Sequence, residues 1–324
     1  MGLARNRVCS AALALALGVG PTVSACQGKG HRDHEAATPA GPPVASPAPE
    51  GSSSAASAPA AGVFYDGFEQ VADNGWKVGV NDLSDGDRQQ PLSQLSQRPG
   101  SALRQATSPV RDGQHALQAT VPHALGSFRS EVARPPVPMG SENWYGFSIY
   151  LPQTWQVDQQ STILAQWHAQ IGEDAKNQDD DVKNNPPVAV SVKGDHWILE
   201  LHWNSQGATA TGPGSGTHAY TLGAIRTGAW CDFVPHATWS PTGNGLIQLW
   251  QDDQQAVNYT GPTEYNNKQG PYFKIGIYRP GWKTKNATQY AQDTLTTGPI
   301  TVYDDAVRIV QGPATYQDVA PNRP

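Results

Sequence analysis

Tyr272-Phe273-Lys274-Ile275-Gly276-Ile277-Tyr278 sets apolar Phe273, Ile275 and Ile277 against Tyr272, Lys274, Gly276 and Tyr278. Side chains alternate across a strand, so this stretch predicts a β-strand with one face in a core and a polar face outside. Three more stretches repeat the pattern. Phe128-Arg129-Ser130-Glu131-Val132 puts Arg129 and Glu131 together. Leu164-Ala165-Gln166-Trp167-His168 puts Gln166 and His168 on one face, with Leu164 on the same side. Trp197–Asn204 sets Glu200, His202 and Asn204 against Leu199, Leu201 and Trp203. A solvated sheet face usually carries Thr, Ser, Lys and Glu. Gln-x-His and Lys-x-Gly-x-Tyr are less usual there, and together the four strands suggest the concave floor of a groove.

Around these strands, further short apolar runs recur between Gly, Pro, Asn and Asp: Trp144–Leu151, Val188–Val192, Leu246–Trp250 and Ile300–Val310. No long 3.6-residue period appears. The expected class is therefore all-β: an antiparallel two-sheet sandwich or jelly roll covering residues 63–324. Gly172–Pro187 (GEDAKNQDDDVKNNPP) is a polar insertion between two strands. Its length makes it a lid candidate. Asp179-Asp180-Asp181 within it is compatible with a structural calcium, but lacks the Gly and Glu spacing of an EF-hand loop.

The N-terminal part has another composition. Arg5 and Arg7 precede the apolar run Val8–Val19, too short to span a bilayer and long enough for the core of a signal peptide. Val23-Ser24-Ala25-Cys26 resembles the bacterial lipobox, which implies removal of residues 1–25 and lipidation of Cys26. Gln27, where Asp would direct retention elsewhere, points to the outer membrane or periplasm of a Gram-negative cell. Within Ala36–Gly62 every residue except Thr38, Val44 and Glu50 is Ala, Pro, Ser or Gly, so residues 26–62 read as a tether. His31 and His34 fall in it. Once Cys9 and Cys26 are set aside, Cys231 alone remains, and no intrachain disulfide can form. Cys231 is expected to be a buried spectator.

Charge limits the partners. The formal net charge is -6, nearer -8 without Arg5 and Arg7, which argues against nucleic acid held on a general basic surface. Yet Tyr272–Asn286 carries Lys274, Arg279, Lys283 and Lys285 with no acidic residue, enough for a narrow basic groove. The groove groups suggest a chemistry. Arg and Gln can bind a carboxylate, His with a pKa near ~6.5 can take a proton at neutral pH, and Tyr can give or take one. A neutralised carboxylate beside a base and an acid suits β-elimination at a 4-linked uronic acid, which needs no metal or organic cofactor.

Arg129-Ser130-Glu131-Val132, Gln166-Trp167-His168 and Tyr272–Tyr278 resemble, in order, the three signatures of jelly-roll alginate lyases. The wider chain is similar to the broad polysaccharide lyase family related to glucuronan lyase and heparin lyase. Phe64–Glu69, Tyr145–Pro152, Gly228–His236 and Lys274–Arg279 carry that likeness. The resemblance implies a lyase acting on an acidic polysaccharide, expected to be monomeric. Arg129 and Gln166 would neutralise the uronate. His168 would be the base or polarise the site, and Tyr278 the acid, or base and acid together. Lys274, Arg279 and His202 would bind substrate, with Glu131 rather positioning Arg129. Two departures concern alginate specifically: Arg279-Pro280-Gly281-Trp282 follows Tyr278, and Ala133 stands where a second Arg is usual. A non-catalytic sugar-binding sandwich is the rival expectation, and would use exposed tryptophans such as Trp250 or Trp282. His236 is expected to be a strand histidine outside the chemistry.

Overall fold

A computed structural model describes residues 62–70, 74–81, 92–95, 102–170 and 185–321, all within one compact unit, Ser53–Pro324. The leader 1–25, Cys26, His31, His34, the tether as far as residue 61, and Asp179–Asp181 of the acidic insertion lie outside the described residues.

Two antiparallel sheets face each other. The back sheet runs β13 (Gln254–Thr260), β12 (Leu246–Gln251), β11 (Ala229–Thr238), β6 (Glu142–Leu151), β15 (Ile300–Gln311), β4 (Ala116–Val121), β3 (Leu103–Ala106), and β1 (Phe64–Asp66) also pairs with β15. The front sheet runs β10 (Ser215–Ala224), β9 (His196–Asn204), β8 (Val188–Lys193), β7 (Thr162–His168), β14 (Tyr272–Tyr278), β5 (Arg129–Ala133), β2 (Lys77–Val80). The described helices are short, the longest being Ala287–Ala291. This is the expected jelly-roll sandwich, and β14 spans the stretch from which it was read.

Alternation creates the core between the sheets. Phe147 and Phe233 from the back sheet meet Phe273, Trp167 and Trp197 from the front, with ring centroids 5.4 Å apart for Phe147–Phe273, 6.3 Å for Phe147–Trp167 and 4.9 Å for Trp197–Phe233. Each such side chain is worth about 1.5–3 kcal/mol in burial alone. Asn204 does not continue the groove floor: it is buried, and its side chain closes the following turn by accepting from the N–H groups of Gln206 and Gly207.

One strand breaks the simple period. The register of β7 against β8 shifts between Ile163 and Ala165, the mark of a β-bulge. Leu164 therefore turns into the core beside Ala165, and Ile163 takes the groove side. The expectation that Leu164 shares a face with Gln166 is corrected accordingly.

Candidate active site

The outer face of the front sheet holds a cavity of about 660 Å³, with β14 at its centre. Register brings the expected residues together. Tyr278 lies opposite Arg129, and Gly276 opposite Glu131, on β5. On the other side Lys274 pairs with Gln166 and Tyr272 with His168, on β7. Gly276 makes this possible. Its φ is +125°, and a Cβ there would strike the Ser130 carbonyl and come within 2.9 Å of Glu131 Cα. Only glycine fits where β14 passes so close to β5.

Glu131 is the hub. It is 2% exposed, accepts a short hydrogen bond from Gln166 Nε2, and accepts another from Lys274 Nζ at 3.1 Å. Arg129 Nε lies 3.3 Å from its Oε2. One carboxylate thus orders two cations and an amide, and the cluster keeps an excess positive charge. With Gln166 Nε2 turned to Glu131, Gln166 Oε1 is buried without a donor. The amide retains one N–H and this oxygen for other partners. Burial, followed by the effect of Arg129 against the opposing pull of Glu131, leaves the Lys274 ammonium below its ordinary pKa. Lys274 was expected to reach a neighbouring sugar. Instead its ammonium is held in the floor by Glu131.

His168 is half-buried, with Nδ1 3.0 Å from the Ala169 carbonyl. A carbonyl only accepts, so Nδ1 carries the proton and Nε2 the lone pair. Burial, and next the Lys274 ammonium, push its pKa down to about 4, so the ring is neutral at pH 7. The Tyr272 ring lies 5.4 Å away. Its phenol is pushed up to about 12 by burial and by Glu131, and remains protonated. Tyr278 packs edge-on to Phe128, with the Arg129 guanidinium and the Lys283 ammonium each 5.2 Å from its ring centre. His202 and Glu200 line the same cavity from β9. Burial lowers the pKa of the first and raises that of the second.

Arg279 is a correction. It is 1% exposed and donates to Asp158 Oδ2 at 2.8 Å, to Asp293 Oδ2 at 2.7 Å and to the Gln160 carbonyl at 3.0 Å. Its guanidinium is spent on tying the segment after β14 to the loop before β7, and no sugar reaches it. Lys283 and Lys285 line the groove instead. The basic run after Tyr278 signalled a cation here without saying which one. Trp282 is likewise fully buried, with its indole N–H donating to Asp293 at 2.8 Å, and Trp250 is half-buried between Trp144 and Tyr316. Neither is the open platform a tryptophan-based sugar-binding face needs.

The remaining candidates are structural. His236 is on the back sheet, stacked on Trp144 at 3.8 Å and bridging Glu142 (2.9 Å) and Gln248 (2.8 Å). Cys231 is buried, and desolvation together with Asp252 pushes its thiol up, away from thiolate chemistry. Among the described residues no group of three or more His, Cys, Asp or Glu could hold a metal ion, and no helix is long and apolar enough to cross a membrane.

Comparison with known proteins agrees with this architecture. The family model described as polysaccharide lyase matches residues 81–308. No curated protein matches the chain. Among solved structures, an endo-β-1,4-glucuronan lyase from the fungus Trichoderma reesei is 20% identical, covering 77% of this chain and 98% of that one with a TM-score of 0.60. The alginate lyase AlyC3 is 12% identical, covering 76% of this chain and 92% of its own, with a TM-score of 0.50. At these identities the likeness is one of fold.

Proposed function

The chain belongs to the polysaccharide lyase family, and from that premise we propose that it cleaves an acidic polysaccharide at a 4-linked uronic acid by β-elimination. The observation that carries this reading is the Glu131-centred cluster: excess positive charge at the groove floor, with a neutral imidazole on one side and a tyrosine on the other.

In this reading the uronate carboxylate docks against the Arg129 guanidinium and the free N–H of Gln166. Its charge is countered as it becomes enolate-like, which acidifies the proton on C5. His168 Nε2, unprotonated at neutral pH, takes that proton. The C5–H electron pair becomes the C4–C5 double bond, the C4–O4 bond breaks, and Tyr278 gives its proton to the departing O4. Where the C5 proton faces the other side of the ring, Tyr278 enters the step as the phenolate, its own proton having gone to solvent; it takes the C5 proton and returns it to O4, while His168 polarises the site. Glu131 acts by holding Arg129, Gln166 and Lys274 in place. The leader sequence supports a further part of the proposal: export, with Cys26 as a lipid anchor and residues 26–62 as the tether, at the envelope of a Gram-negative cell.

The test is direct. The purified protein, incubated with glucuronan, alginate and unsulfated glycosaminoglycans, should generate unsaturated uronate ends, seen as rising ultraviolet absorbance. New reducing ends without that absorbance would indicate a hydrolase. Binding with neither product would indicate a sugar-binding module.

A further inference from the structure

The groove floor changes electrical character from one end to the other. Strand register aligns Lys77, Ala133, Lys274, Gln166, Ala189 and Glu200 in a single row across β2, β5, β14, β7, β8 and β9. Adjacent strands are ~4.8 Å apart, so Glu200 stands about 10 Å from Gln166 along this row. That is the scale of neighbouring sugars in a chain laid across the strands.

On the β2 side the row is cationic. Lys77 is exposed, and Arg129 and Lys274 border a second cavity of about 310 Å³ that Lys77 also lines. On the β9 side the row reaches a carboxylate, with only the small Ala219 of the edge strand β10 beyond it. Glu200 lines the main cavity and has no hydrogen-bond or ion-pair partner among the described residues. Its neighbour His202 is kept neutral by burial and offers no compensating charge, and Asn185 and Pro186 beside them are uncharged. The cation acting on Glu200 is Lys193, exposed at the end of β8. Burial already disfavours the ionised form of Glu200, and a second carboxylate brought beside it would add like-charge repulsion.

We propose, on the strength of the lyase reading, that the groove takes a heteropolysaccharide. A uronate sits at Arg129 and Gln166, and the sugar on the β9 side carries hydroxyl or acetamido groups and no carboxylate. Glu200 is the residue that sets this preference. Its carboxyl group accepts hydrogen bonds from the hydroxyl or amide N–H groups of that sugar and repels a uronate in the same place. On the β2 side, where Lys77 lies, a uronate is admitted.

The experiment compares wild type with Glu200→Gln on glucuronan, in which every sugar is a uronate, and on hyaluronan and unsulfated chondroitin, in which a 4-linked uronate alternates with an acetamido sugar. Unsaturated product is followed for kcat/KM, and oligosaccharide affinity is measured in parallel by calorimetry. The expected result has two parts. Wild type favours an alternating polymer over glucuronan, and Glu200→Gln raises kcat/KM and affinity on glucuronan by about tenfold without a similar gain on the alternating polymer. Wild-type preference for glucuronan, or a Glu200→Gln variant unchanged on it, overturns the inference. Absence of unsaturated product on all three polymers, and on alginate as well, refutes the lyase reading instead. The affinity ratio between glucuronan and alternating oligosaccharides then still decides the role of Glu200.

Discussion

Lys274, inside β14, and Arg279, just past its end, are five positions apart, and both are buried cations held by carboxylates. Their surroundings differ in charge count. Around Arg279 one guanidinium meets two carboxylates, a threonine hydroxyl and a carbonyl, and the assembly is closed to solvent. Around Lys274 two cations share the single carboxylate of Glu131, and the Arg129 side chain stays one-third exposed toward the groove. A closed cluster whose cation already faces two carboxylates has no positive charge left over for an outside anion, and it holds loops together. An open cluster with a cation in excess is completed by an anion from outside. Burial of a basic side chain therefore does not separate function from structure in this protein; the balance of charge around it does.

The sharpest way to break this contrast is to remove the groups beside the open cluster. His168→Ala and Tyr278→Phe should each lower kcat/KM by roughly 10²–10⁴-fold, the usual range for a lost general acid or base. Their unfolding midpoints should stay close to wild type. Normal turnover by Tyr278→Phe would sink the proposed mechanism.

Arg279→Ala tests the closed cluster and should do the reverse. Leaving Asp158 and Asp293 buried without their cation should cost about 3–5 kcal/mol in denaturant unfolding. Activity per folded molecule should change only a few-fold. A large fall in activity with unchanged stability would move Arg279 back into the site.

A smaller effect is expected from pH. With the His168 pKa held at about 4, the acid limb of kcat/KM should fall near that value and not near the ordinary ~6.5. The same shift affects stability. Between about 6.5 and about 4 the unfolded chain binds a proton at this histidine that the folded protein does not. Its contribution is complete above the unfolded value and is lost as pH falls through that window. A pH–rate profile and unfolding curves at several pH values, compared with His168→Ala, measure both. The smallest effect belongs to Cys231→Ala, which should leave activity unchanged and cost about 1 kcal/mol of stability.

Much of the fold is legible in the chain because strand alternation is a local signal. Tyr272–Tyr278 is bounded as its pattern indicates, and Leu199, Leu201, Phe273, Ile275 and Ile277 all enter the core. Leu164 escapes that logic, since a bulge is set by pairing with β8 and leaves no mark on the apolar–polar pattern. The edge strand β10 (SGTHAYTLGA) is mostly exposed and carries little apolar alternation to read. Arg129, Gln166, His168 and Tyr278 could be picked out because their residue types are unusual on a solvated sheet face. Arg279 and Lys283 could not be told apart, since both are basic residues in one short run.

By itself the sequence determined the all-β class, the polar faces of β5 and β14, and the family to which its ordered motifs point, because side-chain alternation and motif spacing are properties of neighbouring residues. Tertiary structure alone decided that Glu131 joins Arg129, Gln166 and Lys274, that Asp158 and Asp293 claim Arg279, and that Glu200 stands in one row with Lys77 across the sheet. Those partners come from strands and loops far apart in the chain. Which carboxylate reaches which cation depends on how the strands are ordered in the sheet, and pairing of distant strands is the part of folding that local sequence leaves open.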